Sequence, residues 1–181
     1  MTAPTEEQIA AQFQFAQLAG QYYVAGRFAA LTHCLPVAGN LLHHSTEMFL
    51  KCALVRTTTL AGLKNLSHKL PDLWTKFRAS CTDPTLTELD DAINELDHFE
   101  VLRYPDSIVR KGMALSFVIN RQEFSALPSG PLPAYHLVLE DIDRISKIIM
   151  RSSGLSASAF LPSHSEYANH YLQLHNAHMY T

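Results

Sequence analysis

The segment LLHHSTEMFLKCALV, residues 41–55, limits the possible folds of this chain more than any other part of the sequence. As part of a helix from about residue 36 to 55, it is apolar on more than half of its circumference, which is typical of a helix at the centre of a bundle. Pro36 suits the first turn of such a helix, because an amide hydrogen there would have no partner inside the helix. The rest of the chain is therefore expected to surround this helix on several sides.

Polar side chains interrupt the apolar surface of the same helix. His43, Glu47 and Lys51 are four residues apart, so on a helix they form one stripe. In a central helix the stripe is partly enclosed, and enclosing a Glu and a Lys is costly unless they pair with each other or meet a ligand. We predict that His43, His44, Glu47 and Lys51 form an internal hydrogen-bond network or a dimer contact; the alternative is a ligand cleft.

Helical patterns lie on both sides of this segment. Thr5 and Gln8 form a capping-box pattern before a first helix, in which Gly26 marks either the end or a close packing point. Pro71 and Pro84 each fit the first turn of a later helix. A last core helix is expected from Ala134 to about Arg151.

The region between these helices breaks the pattern. Tyr104 precedes a proline, which disfavours the α conformation, so an irregular insertion is expected over residues 103–133. A short strand or hairpin is possible over residues 113–127. We predict an all-α protein: an up-and-down bundle of four or five helices over residues 1–152, with this insertion, and a tail over residues 153–181 that forms a short peripheral helix.

The charge of the chain gives no general attraction for nucleic acid. The formal net charge is -3 and the isoelectric point is about 6.3, so contact with RNA requires a local basic patch. Basic residues dominate positions 51–78, and acidic residues dominate positions 83–100, which also fits two neighbouring helices that attract each other. The N-terminal sequence does not resemble a signal peptide, no apolar run is long enough for a membrane span, and the three cysteines fit free thiols, so a cytoplasmic protein is expected.

Common catalytic and cofactor motifs are missing from the sequence. It contains no Walker loop, no glycine-rich dinucleotide turn, no Gly-x-Ser-x-Gly elbow and no His-Glu-x-x-His motif. Four histidines cluster in the tail: His164, His170, His175 and His178. His175 and His178 are spaced to share a helix face, but the only carboxylate near them is Glu166, so we predict no metal site and no cofactor.

Three short motifs follow one another in an order that resembles the HEPN family, the higher-eukaryote and prokaryote nucleotide-binding domains. They are LLHHSTEMFLKCALV, then SHKLPDLW at residues 67–74, then FEVLRYPD at residues 99–106. The resemblance covers residues 10–151. It implies an up-and-down helical bundle whose long second helix carries the polar residues, and it implies a homodimer.

The resemblance also assigns residues to a candidate site. Glu47 and Lys51 match the polar positions of the second helix, and His68 matches the histidine that opens the third. The expected ligand-binding or network residues are His43, His44, Glu47, Lys51, His68, Arg103, Tyr104 and Asp106. The chain departs from the family pattern at one point, because Lys69 rather than an aspartate follows His68.

The catalytic pattern of HEPN ribonucleases is not at its usual place in this chain. Active members resemble one another in an arginine, a spacer of four to six residues and a histidine near the last core helix, where a histidine can accept the 2′-hydroxyl proton and an arginine can stabilise the phosphate. Arg144 and Arg151 have no histidine at that distance. One literal match, Arg27 with His33, lies between the first two helices.

Two functional hypotheses follow from these observations. The first is a non-catalytic HEPN-like module that binds RNA, a nucleotide or a protein partner such as an antitoxin, in a toxin–antitoxin or defence system. The alternative is a metal-independent endoribonuclease that uses Arg27 and His33, or the polar residues of the second helix. A ribonuclease needs polar side chains that converge in an open cleft, whereas a binding module allows them to be buried and mutually bonded.

Overall fold

Two long helices form the centre of the molecule. The computed structural model describes residues 4–65, 68–81, 83–125, 130–156 and 165–180. Helix α1 spans Glu6–Leu31 and helix α2 spans Leu35–Leu54, and they pack against each other after a three-residue turn. The predicted capping box is confirmed, because Thr5 Oγ1 accepts from the Gln8 amide at 3.2 Å and Gln8 Oε1 accepts from the Thr5 amide at 2.9 Å.

Gly26 is a close packing point and not the end of α1. A Cβ atom at this position would lie 2.7 Å from Cδ2 of Leu42, so only glycine allows the two helices to approach here. A second direct link between them is the hydrogen bond from Ser45 Oγ to the Ala19 carbonyl, 3.0 Å long. The sequence had left both readings of Gly26 open, and the contact with Leu42 decides between them.

Helix α2 lies at the centre of the fold, as its composition predicted. It contacts α1, α4, α5, α7 and the 3-10 turn Phe99–Arg103. The other helices are α3 Leu60–Lys64, α4 Leu70–Ala79, α5 Asp90–His98, α6 Pro105–Lys111, α7 Leu139–Ser152, α8 Glu166–Gln173 and α9 Ala177–Tyr180, with further 3-10 turns at Pro84–Leu89 and Arg121–Glu123. The prediction of an all-α fold is confirmed, and the described part of the chain adds one small sheet.

The start of the last core helix was predicted wrongly. Residues Ala134–Val138 form strand β2, which pairs in parallel with β1, Ala114–Val118. Of the short strand or hairpin expected over residues 113–127, the strand is therefore present. Tyr135 and Leu137 are buried with His136 between them half-exposed, which is a strand alternation. Helix α7 begins only at Leu139, and the acidic side chains in its first turn interact favourably with the positive end of the helix dipole.

The tail returns to the bundle. Helix α8 packs against α1 and helix α9 against α7, and their side chains Leu172 and Met179 are buried. The expected peripheral tail helix is therefore present. Within the described ranges, no helix is long and apolar enough to cross a bilayer.

A buried polar network fixes the tail to the core. Arg27 on α1 is completely buried and forms an ion pair with Asp143 on α7. Its guanidinium also donates to the main-chain carbonyls of Tyr171, at 3.1 Å, and Leu174, at 2.5 Å. Three segments that are distant in sequence thus meet at one side chain.

Tyr23 and Asn176 complete this network. The Tyr23 hydroxyl donates to Asp143 Oδ1 at 2.6 Å and accepts from Asn176 Nδ2 at 3.1 Å. Burial, together with the Asp143 charge, raises the pKa of Tyr23 well above its ordinary value, so the phenol stays protonated and remains a donor.

Replacement of Arg27 by methionine should strongly destabilise the fold. The change leaves the Asp143 carboxylate buried without its cation, so the free energy of unfolding should fall by about 3–5 kcal/mol, as measured by urea denaturation. The double variant Arg27→Met/Asp143→Leu removes both charges and should recover a large part of the loss. Unchanged stability of Arg27→Met would show that Arg27 is not a structural residue.

Candidate functional site

Glu47 is the buried centre of the candidate site. It lies midway along α2, and only 3% of its side chain is exposed. A carboxylate in this position is costly unless several donors surround it. The contacts of Glu47 therefore define the site.

Three side chains surround the Glu47 carboxylate. Lys51 Nζ, one helical turn further along α2, donates to Glu47 Oε1 at 2.6 Å. His68 Nδ1, two residues before α4, lies 2.8 Å from the same oxygen, and His44 Nδ1 lies 3.5 Å from Oε2. An ionised carboxylate only accepts hydrogen bonds, so the nearer nitrogen of each histidine carries the proton.

These contacts keep Glu47 ionised. Burial alone would raise its pKa, but the hydrogen bonds from His44, Lys51 and His68, together with the Lys51 charge, outweigh it and lower the pKa from 4.5 to about 2. The charge of Lys51 offsets that of the carboxylate within the core. The buried ion pair of Glu47 and Lys51, called the anchor below, is thus stable at neutral pH.

Arg103 and Tyr22 extend this anchor to the surface. His44 Nε2 accepts a hydrogen bond from Arg103 Nη2, and the rings of Tyr22 and His44 lie 5.5 Å apart. His44 is 25% exposed and His68 is 76% exposed, whereas Lys51 is only 9% exposed. We name the following residues the Glu47 cluster: Tyr22, His44, Glu47, Lys51, His68 and Arg103.

The concave surface next to this cluster is mostly apolar. Lys51 forms part of the wall of a groove of about 470 Å³ between the N-terminal half of α1 and α3. The other wall residues include Phe15, Leu18 and Leu63. The enclosed base of the cluster thus meets an apolar groove, while its histidines and Arg103 reach solvent.

The structure brings together some of the predicted site residues and separates others. His44, which was not part of the predicted stripe, contacts Glu47, whereas His43 Nδ1 lies 3.4 Å from the Leu96 carbonyl on α5. Tyr104 follows Arg103 and is 61% exposed. Asp106 forms a surface ion pair with Arg110 at 3.3 Å, and Arg110 lies outside the Glu47 cluster.

Arg27 and His33 have separate environments. Arg27 is held inside the core by Asp143 and by carbonyls of the tail. His33 lies in the turn after α1 with a positive φ of 60°, and its ring packs against Phe117 on β1 at 5.8 Å. The geometry gives the proposed catalytic pair no common cleft, because the Arg27 guanidinium is fully enclosed.

The tail histidines that the structure describes are not aligned on one helix. His175 has a φ of 56° and lies in the turn between α8 and α9, so it does not belong to the helix that contains position 178. The His170 ring packs against Tyr171 at 5.2 Å. His164 and the side chain of His178 lie outside the described part of the chain.

A second cavity is lined by residues other than the predicted site residues. It has a volume of about 250 Å³ and is lined by residues that include Glu95, Arg121, Phe124, His136 and Asp141. Arg121 forms an ion pair with Asp141 at 3.1 Å at its wall, and burial raises the pKa of Asp141. The charges of Arg121 and Asp141 at the cavity wall therefore compensate each other.

Tyr22 belongs to the site but was not among the residues predicted for it. Tyr22 and His44 are each eleven positions from His33, which lies in the turn between α1 and α2. Residues equally distant from the turn of an antiparallel helical hairpin face each other, so this spacing could have indicated the contact. The position of the turn was needed first, and the sequence left it ambiguous.

Comparisons with known proteins identify no relative of this chain. No protein-family model, curated protein or solved structure gives a significant match to the chain. The assignment of a function therefore depends on the geometry of the site and on the sequence resemblance.

Replacement of Glu47 by glutamine should show that the Glu47 carboxylate contributes to the free energy of unfolding and that this contribution depends on pH. Because the folded pKa of about 2 is lower than the ordinary value, the carboxylate stabilises the fold fully above about pH 5, and this contribution is lost as the pH falls toward 2. Glu47→Gln should lower the free energy of unfolding by about 3 kcal/mol at pH 7. The measurement is urea denaturation at pH 7 and at about pH 3.

The exposed acid Glu88 provides a matched control for this substitution. Glu88→Gln should change stability by less than about 0.5 kcal/mol at either pH. The difference between the wild type and Glu47→Gln should shrink at the lower pH. A difference that is equally large at both values would contradict an ionised, stabilising Glu47.

Proposed function

We propose that this protein is a HEPN-like, non-catalytic module that binds RNA through the exposed side of the Glu47 cluster. The observation that carries the proposal is the position of Arg103, which extends from the cluster to the surface with its guanidinium against an imidazole rather than against a carboxylate. Its positive charge is therefore available to a phosphate, and the planar guanidinium suits phosphate geometry.

The aromatic residues near Arg103 support the same ligand. Tyr104 is mostly exposed and Tyr22 packs against His44, so both offer ring surface beside the basic groups. Unpaired bases of RNA stack on such rings, while the backbone phosphates bind basic side chains. His68 and the neighbouring Lys69, which are both exposed, supply further donors at this surface.

The enclosed part of the cluster favours binding over catalysis. Glu47 and Lys51 are buried and bond to each other, so these two groups act as a scaffold for His44 and His68. A scaffold of this kind fixes the orientation of surface groups at little entropic cost on binding. This is the arrangement that the sequence analysis associated with a binding module.

The resemblance also supports three wider proposals about the biological context: a homodimer, a protein partner such as an antitoxin, and a cytoplasmic role in a toxin–antitoxin or defence system. Exposed apolar side chains on α1, which are Ile9, Phe13, Leu18 and Phe28, support a subunit or partner contact. Sedimentation analysis tests the dimer: a single species of about 20.2 kDa would contradict it.

Substitution of Arg103 should weaken RNA binding. With a labelled single-stranded RNA of mixed sequence at low salt, Arg103→Ala should raise the dissociation constant about tenfold and reduce its salt dependence, because one phosphate contact is lost. His44→Ala should have a smaller effect in the same direction, because it removes the support of Arg103. Fluorescence anisotropy measures both.

Arg151 provides the matched control, since it is an exposed arginine on α7 beside Arg144 and Lys147. Arg151→Ala should leave the affinity nearly unchanged. If Arg151→Ala lost RNA binding and Arg103→Ala retained it, the RNA-binding surface would lie on α7, and this result would contradict the proposal. Absence of any RNA binding by the wild type would contradict it outright.

A metal-independent endoribonuclease is the second candidate function, and one observation favours it. Glu47, His44 and Arg103 form a chain in which the carboxylate holds His44 Nδ1, while His44 Nε2 faces the guanidinium. If a phosphate drew Arg103 away, His44 Nε2 could accept the 2′-hydroxyl proton and Arg103 could stabilise the charged phosphate. Cleavage of the same RNA in excess EDTA that disappears in His44→Ala would establish this function; intact RNA that remains bound would support the binding module.

A further inference from the structure

His43 is buried with one ring nitrogen unused. The residue is 1% exposed, and its Nε2 has no hydrogen-bond partner among the described residues. A buried polar atom without a partner destabilises a fold, because it has given up its hydrogen bonds to water. The position is thus unfavourable unless something further binds there.

Two acidic side chains lie next to this histidine. A ring nitrogen of His43 and one carboxylate oxygen each from Asp97 and Glu100 all lie within 4.8 Å of one another. Asp97 is the penultimate residue of α5, and Glu100 lies in the following 3-10 turn. The two acids are three residues apart on continuous helical backbone, so they share a face toward α2.

We propose that His43, Asp97 and Glu100 bind a divalent transition-metal ion, with Zn²⁺ as its representative. The imidazole nitrogen favours a transition metal over Mg²⁺ or Ca²⁺, which prefer ligand sets made only of oxygen. Zn²⁺ is commonly held by histidine and carboxylate ligands. The two carboxylates supply two negative charges, which such an ion neutralises.

One tautomer of the His43 ring leaves a nitrogen lone pair for the ion. If Nδ1–H donates to the Leu96 carbonyl at 3.4 Å, then Nε2 carries the free lone pair. Metal-binding histidines are commonly held in this way, with the other ring nitrogen bonded to a carbonyl or carboxylate. Burial also lowers the pKa of His43, which favours the neutral form that binds a metal.

The carboxylates can move to meet the ion. Ligand atoms around tetrahedral zinc are about 3.4 Å apart, whereas these atoms lie within 4.8 Å of one another, so no pair has to approach by more than about 1.4 Å. Asp97 and Glu100 are both half-buried, which leaves them room to move. One oxygen of Asp97 already accepts from the Leu70 amide at 2.8 Å, so its other oxygen remains for the ion.

Metal binding at this site would join α2 to α5 and to the turn that carries Arg103. Three protein ligands leave one tetrahedral position for water or a ligand group. The site differs from the Glu47 cluster in its ligands, although the rings of His43 and His44 are only 5.6 Å apart.

The test is metal titration of the intact protein after removal of bound metal by a chelator and dialysis. Calorimetry with ZnCl₂ should give one site per wild-type chain, and CoCl₂ should give the visible absorption bands of a low-symmetry nitrogen and oxygen site. Glu100→Gln should weaken Zn²⁺ binding at least tenfold. Glu88→Gln is the matched exposed acid and should bind as the wild type does.

Two further variants make the outcome decisive. Asp97→Asn keeps an oxygen for the Leu70 amide, so it should retain the fold and also lose at least tenfold in affinity; it replaces Glu100→Gln if that variant does not fold. His175→Ala/His178→Ala removes tail histidines and should leave binding unchanged. Absence of saturable binding, unchanged affinity in Glu100→Gln and Asp97→Asn, or loss of binding in the tail variant would each overturn the proposal.

Discussion

A carboxylate buried in the central helix must be surrounded by donors, and the contacts of Glu47 meet this requirement from several parts of the chain. Lys51 and His44 come from α2 itself, whereas His68 comes from the segment before α4. His44 in turn orients Arg103 from the turn that follows α5. The positions of two segments relative to α2, the one before α4 and the turn after α5, therefore depend on a single buried charge.

The pattern of apolar residues in α1 does not by itself show which face lies against the bundle. These residues are spread around its whole circumference, so the pattern is compatible with several rotations of α1, which the close contact of Gly26 with Leu42 restricts. Polar contacts distinguish these rotations: Ser45 bonds to the Ala19 carbonyl, and Arg27 must meet Asp143. As in other helical bundles, buried polar groups here select one arrangement among apolar alternatives, although each carries a desolvation cost.

Local signals in the sequence predicted the parts of the fold that local physics controls. The capping box at Thr5, the early proline of α2 and the central position of α2 required only neighbouring residues or composition, and all three were correct. The strand at Ala134–Val138 was missed because its partner lies twenty positions earlier, and its apolar pattern continues directly into α7. Without the pairing, five strand residues are read as the first turn of the helix.

The candidate site was predicted in its composition but not in its contacts. Spacing alone grouped His43 with Glu47, yet the two adjacent histidines turn toward different neighbours, His43 toward α5 and His44 toward Arg103. Arg27 and His33 matched a catalytic spacing, but burial of Arg27 depends on α7 and the tail, more than a hundred residues away. Contacts at such separations are decided by the tertiary fold, and no local pattern carries them.

The ionisation of Glu47 is the most direct test of this account. A carbon-13 NMR titration of side-chain carboxyl groups, with the Glu47 signal assigned by comparison with Glu47→Gln, would follow this residue from neutral to acidic pH. The account predicts that Glu47 stays ionised until the pH approaches about 2, well below the ordinary glutamate pKa of 4.5. Titration of Glu47 at this ordinary value, or above it, would contradict the account, because the carboxylate would then not be held by its three donors.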